Sequence, residues 1–183
     1  MANLTLEYKY AVGSYEEFMN SEIAKETLPH IKAYDLETRE VLNPSDYMPN
    51  IYRILMREYR NSEIAFEVVD DFLDKLWSTI ENHVPNFIER YNRYQQYLKL
   101  TDEDLLNMGT TIMNVIRNTN DVNEEPLKEP LKNITDQTSS RRYADKASKI
   151  RGQIFNSQMT IQYDFLYHFK NLFMKLGTQP QYY

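Results

Sequence analysis

Apolar residues recur along this chain at the three- and four-residue spacings of helices, and the strongest run spans residues 61–84. Ile64, Val68, Phe72, Leu76 and Ile80 follow one another at intervals of four, and Ala65, Val69, Leu73 and Trp77 form the adjoining stripe. Together they predict a face wide enough for a bundle core and broader than a coiled-coil seam. A shorter helix is predicted over 51–60, where Ile51, Ile54, Leu55 and Tyr59 share one side. Pro85 is expected to interrupt or restart the long helix, since proline has no N–H and its ring crowds the preceding turn. Beyond it Phe87, Tyr91 and Tyr94 mark another helical face that ends near Leu100. Thr101 with Asp104 three residues later reads as an N-cap, opening a helix with Leu105, Met108, Ile112, Val115 and Ile116 that runs to about 118, weakened by Gly109. The last helical stretch is predicted over about 141–176, with a break allowed near Gly152. Ile161, Phe165, Phe169, Phe173 and Leu176 keep its period, Lys170 and Lys175 suit its negative end, and Gly177 suits its C-cap.

Patterning is weaker elsewhere. Leu4, Leu6, Tyr8 and Tyr10 alternate loosely and predict a short strand or an extended arm. A weak helix over 15–28 closes at Pro29, and 29–50 reads as irregular, with turn signals at Asn43-Pro44-Ser45-Asp46 and Met48-Pro49. Residues 119–140 carry two prolines among Asn, Asp and Ser and read as a long loop or linker. The expected organisation is an N-terminal arm and weakly patterned segment (1–50), a helical core (51–118), a loop (119–140), a C-terminal helical segment (141–177) and a tail (178–183). The fold class expected is mainly α, a helical bundle with an extended N-terminal arm and a long loop.

Composition narrows what such a bundle can do. Only four of the 183 residues are glycine, roughly 2% against a usual share of about 7%, so the glycine-dependent loops of nucleotide-binding folds and tight hairpins have little to draw on. Cysteine is absent, which removes disulfides, thiolate metal sites and thiol nucleophiles. No run of apolar residues is long enough to span a bilayer, and the first residues lack the pattern of a signal peptide. The 15 tyrosines, each an apolar body with a polar tip, suit surfaces that are covered on assembly or grooves between helices. A formal charge of −6 argues against a protein that coats nucleic acid.

Candidate chemistry is sparse. His30, His83 and His168 lie far apart in sequence with no metal-ligand spacing. Glu63 and Glu67, and Asp70 and Asp74, stand one helical turn apart, with Arg57 and Arg60 near enough to pair with them. No Glu-x-x-His motif accompanies these carboxylates and no serine sits in a nucleophile elbow. No catalytic residue, metal or cofactor is assigned, and no enzymatic activity is expected. The basic cluster Arg141, Arg142, Lys146, Lys149 and Arg151 can form a stripe on a helix. Three readings of it stay open: phosphate contact, an inter-subunit face opposed to acidic surface, and a solvated face.

Residues 59–92, YRNSEIAFEVVDDFLDKLWSTIENHVPNFIERYN, resemble the signature of the lower collar proteins of phi29-like short-tailed phages. Tyr59 and Arg60 lead into Glu63, Ile64, Phe66 and Glu67, and Phe72, Leu76, Pro85 and Tyr91-Asn92 follow in the family's order. The closing stretch DFLYHFKNLFMKLG, residues 164–177, is similar to the family's late aromatic helix. Ser62, Ala65 and Val68 stand where the family usually has arginine, glycine and threonine. The resemblance implies a closed ring, twelvefold like the portal, at the virion neck between capsid and tail and assembled in the host cytoplasm. Its implied partners are its own copies, the portal protein, the tail knob or another tail protein, and genomic DNA that passes through the channel without sequence-specific binding. The competing expectation is a helical DNA-binding or regulatory protein that uses the cluster at 141–151.

Overall fold

The computed structural model describes residues 6–108 and 137–175, except the side chains of 137–141 and 143. These residues are mainly helical, and their only β pairings are three isolated bridges. They form two compact units, one of residues 1–88 with 162–183 and one of 89–161.

The first unit opens with three short helices. These are α1 (Tyr8–Val12), α2 (Tyr15–Asn20) and α3 (Glu22–Thr27). The expected extended arm is replaced, from Leu6 onward, by chain folded into the core, with Tyr8 fully buried. The single helix expected over 15–28 is two. Ser14 and Glu17 form a capping box at the start of α2, and Ser21, in an extended conformation, caps α3 by accepting from the Ala24 amide. Gly13 at φ 75° makes the turn between α1 and α2, and the Tyr52 hydroxyl holds its carbonyl at 2.7 Å.

Helix α4 (Pro44–Tyr59) begins seven residues before the expected start at 51. The turn signal at 43–46 is its cap: the Asn43 side chain accepts from the Ser45 amide, and Pro44 sits in the first turn where its missing N–H costs nothing. Tyr47, Met48, Ile51, Ile54 and Leu55 make its buried face.

The run expected to be helical from 61 divides at 69. Helix α5 spans Val69–Tyr97. Ahead of it the Ile64 amide donates to Leu6 and the Ala65 amide to Leu172, both at 2.9 Å, so neither is available for a helical bond. The Glu63 carbonyl accepts from Met174, also at 2.9 Å. Residues 62–65 thus lie between two antiparallel neighbours, through the bridges Glu7–Glu63 and Ile64–Phe173. Val68 is accordingly exposed, while Phe72, Leu76, Trp77 and Ile80 keep the predicted core stripe. Pro85 does not break α5. Ile80, Val84, Phe87 and Ile88 are all buried around it, and that packing holds the register across the lost hydrogen bond.

The second unit contains the last turns of α5 from Glu89, a helix α6 that starts at 102 and is described to 108, and α7 (Gln137–Tyr167) as far as Ile161. Thr101 caps α6 as expected, its hydroxyl accepting from the Asp104 amide at 3.3 Å and donating to the carboxylate at 2.8 Å. Tyr94, Tyr97, Leu105, Ala147, Ile150, Ile154 and Ile161 are buried. Helix α7 runs through Gly152 unbroken, but it ends at Tyr167 and not near 176. A 3-10 turn at Lys170–Leu172 follows, and Phe173 enters the bridge to Ile64. Gly109, most of the expected loop (119–136), Gly177 and the tail lie outside the described residues.

Candidate functional site

The family-like residues of the first unit sort into a core and an exposed edge. Tyr59 stacks on Phe173 with ring centroids 4.2 Å apart, and its hydroxyl donates to the Leu166 carbonyl at 2.7 Å. Burial, with the Glu58 charge a smaller cause, pushes the Tyr59 pKa up to about 12. Phe72 meets Tyr8, Phe66 and Phe173 at edge angles, with centroids 6.1, 6.0 and 5.9 Å away. Ile64 and Leu76 are buried with them, and Phe87 stacks on Phe165 at 4.5 Å. Pro85 is half-buried, as are Tyr91 and Asn92 of the second unit.

Arg60, Glu63 and Glu67 are exposed. Glu63 and Glu67 do not share a helix face, because 60–68 is not helical. No hydrogen bond or ion pair among the described residues holds either carboxylate, and Arg57, one of the two expected partners, donates to Gln162 at 3.0 Å. Asp70 and Asp74 do share a face of α5. With Glu22 and Glu26 of α3 they rim a cleft of about 380 Å3, in which Ser21, Ile23 and Leu73 complete the lining. No group of three or more His, Asp or Glu among the described residues is arranged to hold a metal ion.

The basic cluster splits as well. Arg142, Lys146 and Lys149 are exposed and recur at four- and three-residue intervals, which places them on one face of α7. Arg151 leaves that row: it donates to the Leu100 carbonyl at 3.1 Å and to Asp102 at 2.7 Å, tying α7 to the segment that opens α6. The Arg141 side chain lies outside the described residues.

Two features escaped the sequence reading. Phe155 and Met159 of the second unit, one turn apart on α7, are 66% and 55% exposed. Tyr163 and Tyr167 of the first unit are exposed with the same spacing. Their period was visible in the sequence, but an exposed apolar row and a buried one look alike there. The second feature is His83 and His168, whose rings stack in the first unit with centroids 3.6 Å apart and planes 6° from parallel. They are separated by so much chain that no local spacing could announce the contact.

Comparison with protein-family models, with curated proteins and with solved structures finds no match to this chain.

Proposed function

We propose that this chain is a structural lower collar, or head–tail connector, protein of a short-tailed phage. In this reading it has no catalytic activity, and its copies close a ring that joins portal to tail at the virion neck and lines the path of DNA ejection. The observation that carries the reading is the meeting of the two stretches that resemble the family. Residues 59–88 of the first stretch and 164–175 of the second, far apart in sequence, share the core of the first unit through the contacts of Tyr59, Ile64 and Phe72 with Phe173 and of Phe87 with Phe165. Residues that jointly sustain one core are those expected to recur together in a family.

The exposed side chains supply what a ring needs. Closed rings use two different complementary faces on each copy. Phe155 and Met159 offer an apolar contact, Arg142, Lys146 and Lys149 a basic one, and the cleft rimmed by Glu22, Glu26, Asp70 and Asp74 an acidic one. A neighbouring copy that set the basic row against acidic surface would neutralise both. The exposed basic row also favours the second reading, a helical DNA-binding or regulatory protein.

Light scattering and electron microscopy of the purified full chain, alone and with a phage portal protein, separate the two. Rings, alone or on the portal, are expected. A chain that stays monomeric or dimeric with the portal, yet binds duplex DNA with an affinity that falls steeply with salt, would overturn the collar reading in favour of the second.

A further inference from the structure

We infer that His83 and His168 form an acid-sensitive latch, which holds the C-terminal turn of the first unit on α5 and which acid loosens by charging the stacked rings. The geometry sets the behaviour. Two rings lying face to face at 3.6 Å and within 6° of parallel keep their contact when neither or only one is charged. Two imidazolium charges at that separation repel strongly, the more so because His83 is only half-exposed to water.

What the latch holds is specific. His168 follows the last residue of α7, and after it come buried Phe169, Leu172 and Phe173. The backbone bonds from Ala65 to Leu172 and from Met174 to Glu63 lie in the same short segment. Rings driven apart at His168 therefore pull on the strand-like edge that closes over residues 62–65. The charged and titratable groups near the stack come from three elements. On α5 the only charged residue within a turn of His83 is Glu81. From the end of α7 and its turn come Asp164, Lys170, whose ammonium lies 4.0 Å from the centre of the Tyr167 ring, and Tyr167, 6.3 Å from His168. From α4 come Tyr59, whose hydroxyl donates to the Leu166 carbonyl, and Arg57, engaged with Gln162.

Burial first, and then the charge of His168, hold the His83 pKa below its ordinary value. With the folded value depressed, the stability from the neutral stack is fully present above the ordinary histidine range. It is lost as pH falls through that range toward the lower folded value.

The test is a nuclear magnetic resonance titration of the imidazoles in the full chain from pH 8 to 5, with melting curves of wild type and His168→Phe at pH 7.5 and 5.5. The phenylalanine keeps a ring on His83 and removes the charge. The His83 midpoint is expected to rise in the variant. The wild-type melting midpoint should fall by about 3–5 °C more than the variant's, which corresponds to about a tenfold shift in the folded-to-unfolded ratio for a chain of this size. Acid effects on all other groups are common to both proteins and cancel. Equal losses in the two proteins, or an unchanged His83 midpoint, overturn the latch. Should the variant fail to fold, wild type decides alone: the Phe173 and Met174 amide signals must move with the His83 titration, and signals that ignore it overturn the proposal.

Discussion

Tyr59 joins two kinds of force at one position. Its ring stacks on Phe173, and its hydroxyl ends the path of the Leu166 carbonyl in search of a donor. The two contributions separate by substitution. Tyr59→Phe keeps the stack and loses one hydrogen bond to a part-buried carbonyl, so a loss of about 1 kcal/mol is expected in urea unfolding. Phe173→Ala empties a site that Tyr8, Tyr59 and Phe72 all face, and the expected loss is about 3–5 kcal/mol. Titration gives an independent check on the same residues. Burial raises the pKa of Tyr59 and Tyr47 to about 12, and it raises Tyr8 as well. Because the folded values lie above the ordinary one, the stability from keeping these hydroxyls protonated is whole below about pH 10. It is lost as pH rises from there toward 12. Tyrosinate absorbance from these three residues should therefore grow together with alkaline unfolding, whereas absorbance that grows in full before any loss of helix would contradict their burial.

At the level of elements, the two glycines described structurally are opposite cases. Gly152 lies exposed in the middle of α7, and a Cβ built there meets nothing within 4 Å, so Gly152→Ala should stabilise by about 1 kcal/mol through helix propensity alone. Gly13 has φ 75°, and a Cβ there would collide with the Glu17 carboxylate that completes the capping box of α2. Gly13→Ala should cost more than about 1 kcal/mol, and paired thermal melts of the two variants would show the opposite signs. The helices themselves were legible where their apolar period was long. Ile51, Ile54, Leu55, Phe72, Leu76, Trp77, Ile80, Ile161, Phe165 and Phe169 are buried as the spacing predicts, with Tyr59 and Leu73 half-buried beside them. The misreadings have local causes. Ile64 and Ala65 continue the period of α5 perfectly well, but their amides are claimed by Leu6 and Leu172, partners that no window on the sequence contains. Pro85 reads as a breaker because its cost is local, while the packing that outweighs it comes from buried neighbours in the fold. The start of α2 is fixed by the capping box of Ser14 and Glu17, a signal that the predicted helix over 15–28 did not include. For the candidate surface, the basic row at 142, 146 and 149 was visible, but the loss of Arg151 to Asp102 and Leu100 was not.

For the whole molecule, the question is whether exposed apolar side chains on α7 serve the fold or an assembly. Phe155 and Met159 do not serve the fold. The second unit buries Ala147, Ile150, Ile154 and Ile161 from the same helix, and Phe155 and Met159 stand off that face in solvent. Exposed large apolar residues without a folding role are aggregation hazards unless a partner covers them. Replacing both, as Phe155→Gln with Met159→Gln, should therefore leave unfolding of the isolated chain within about 0.5 kcal/mol of wild type, the usual range for surface changes. In the collar reading the same pair sits in contacts between copies, and the double variant should lose ring formation in light scattering while its helix content stays unchanged. Reversing Arg142 and Lys149 to glutamate supplies the contrast. If charge opposes charge between copies, this variant also loses rings, and raising salt weakens wild-type rings in parallel. Rings that form normally in the Gln pair would detach these residues from assembly, and a large loss of stability would show that they belong to the core after all.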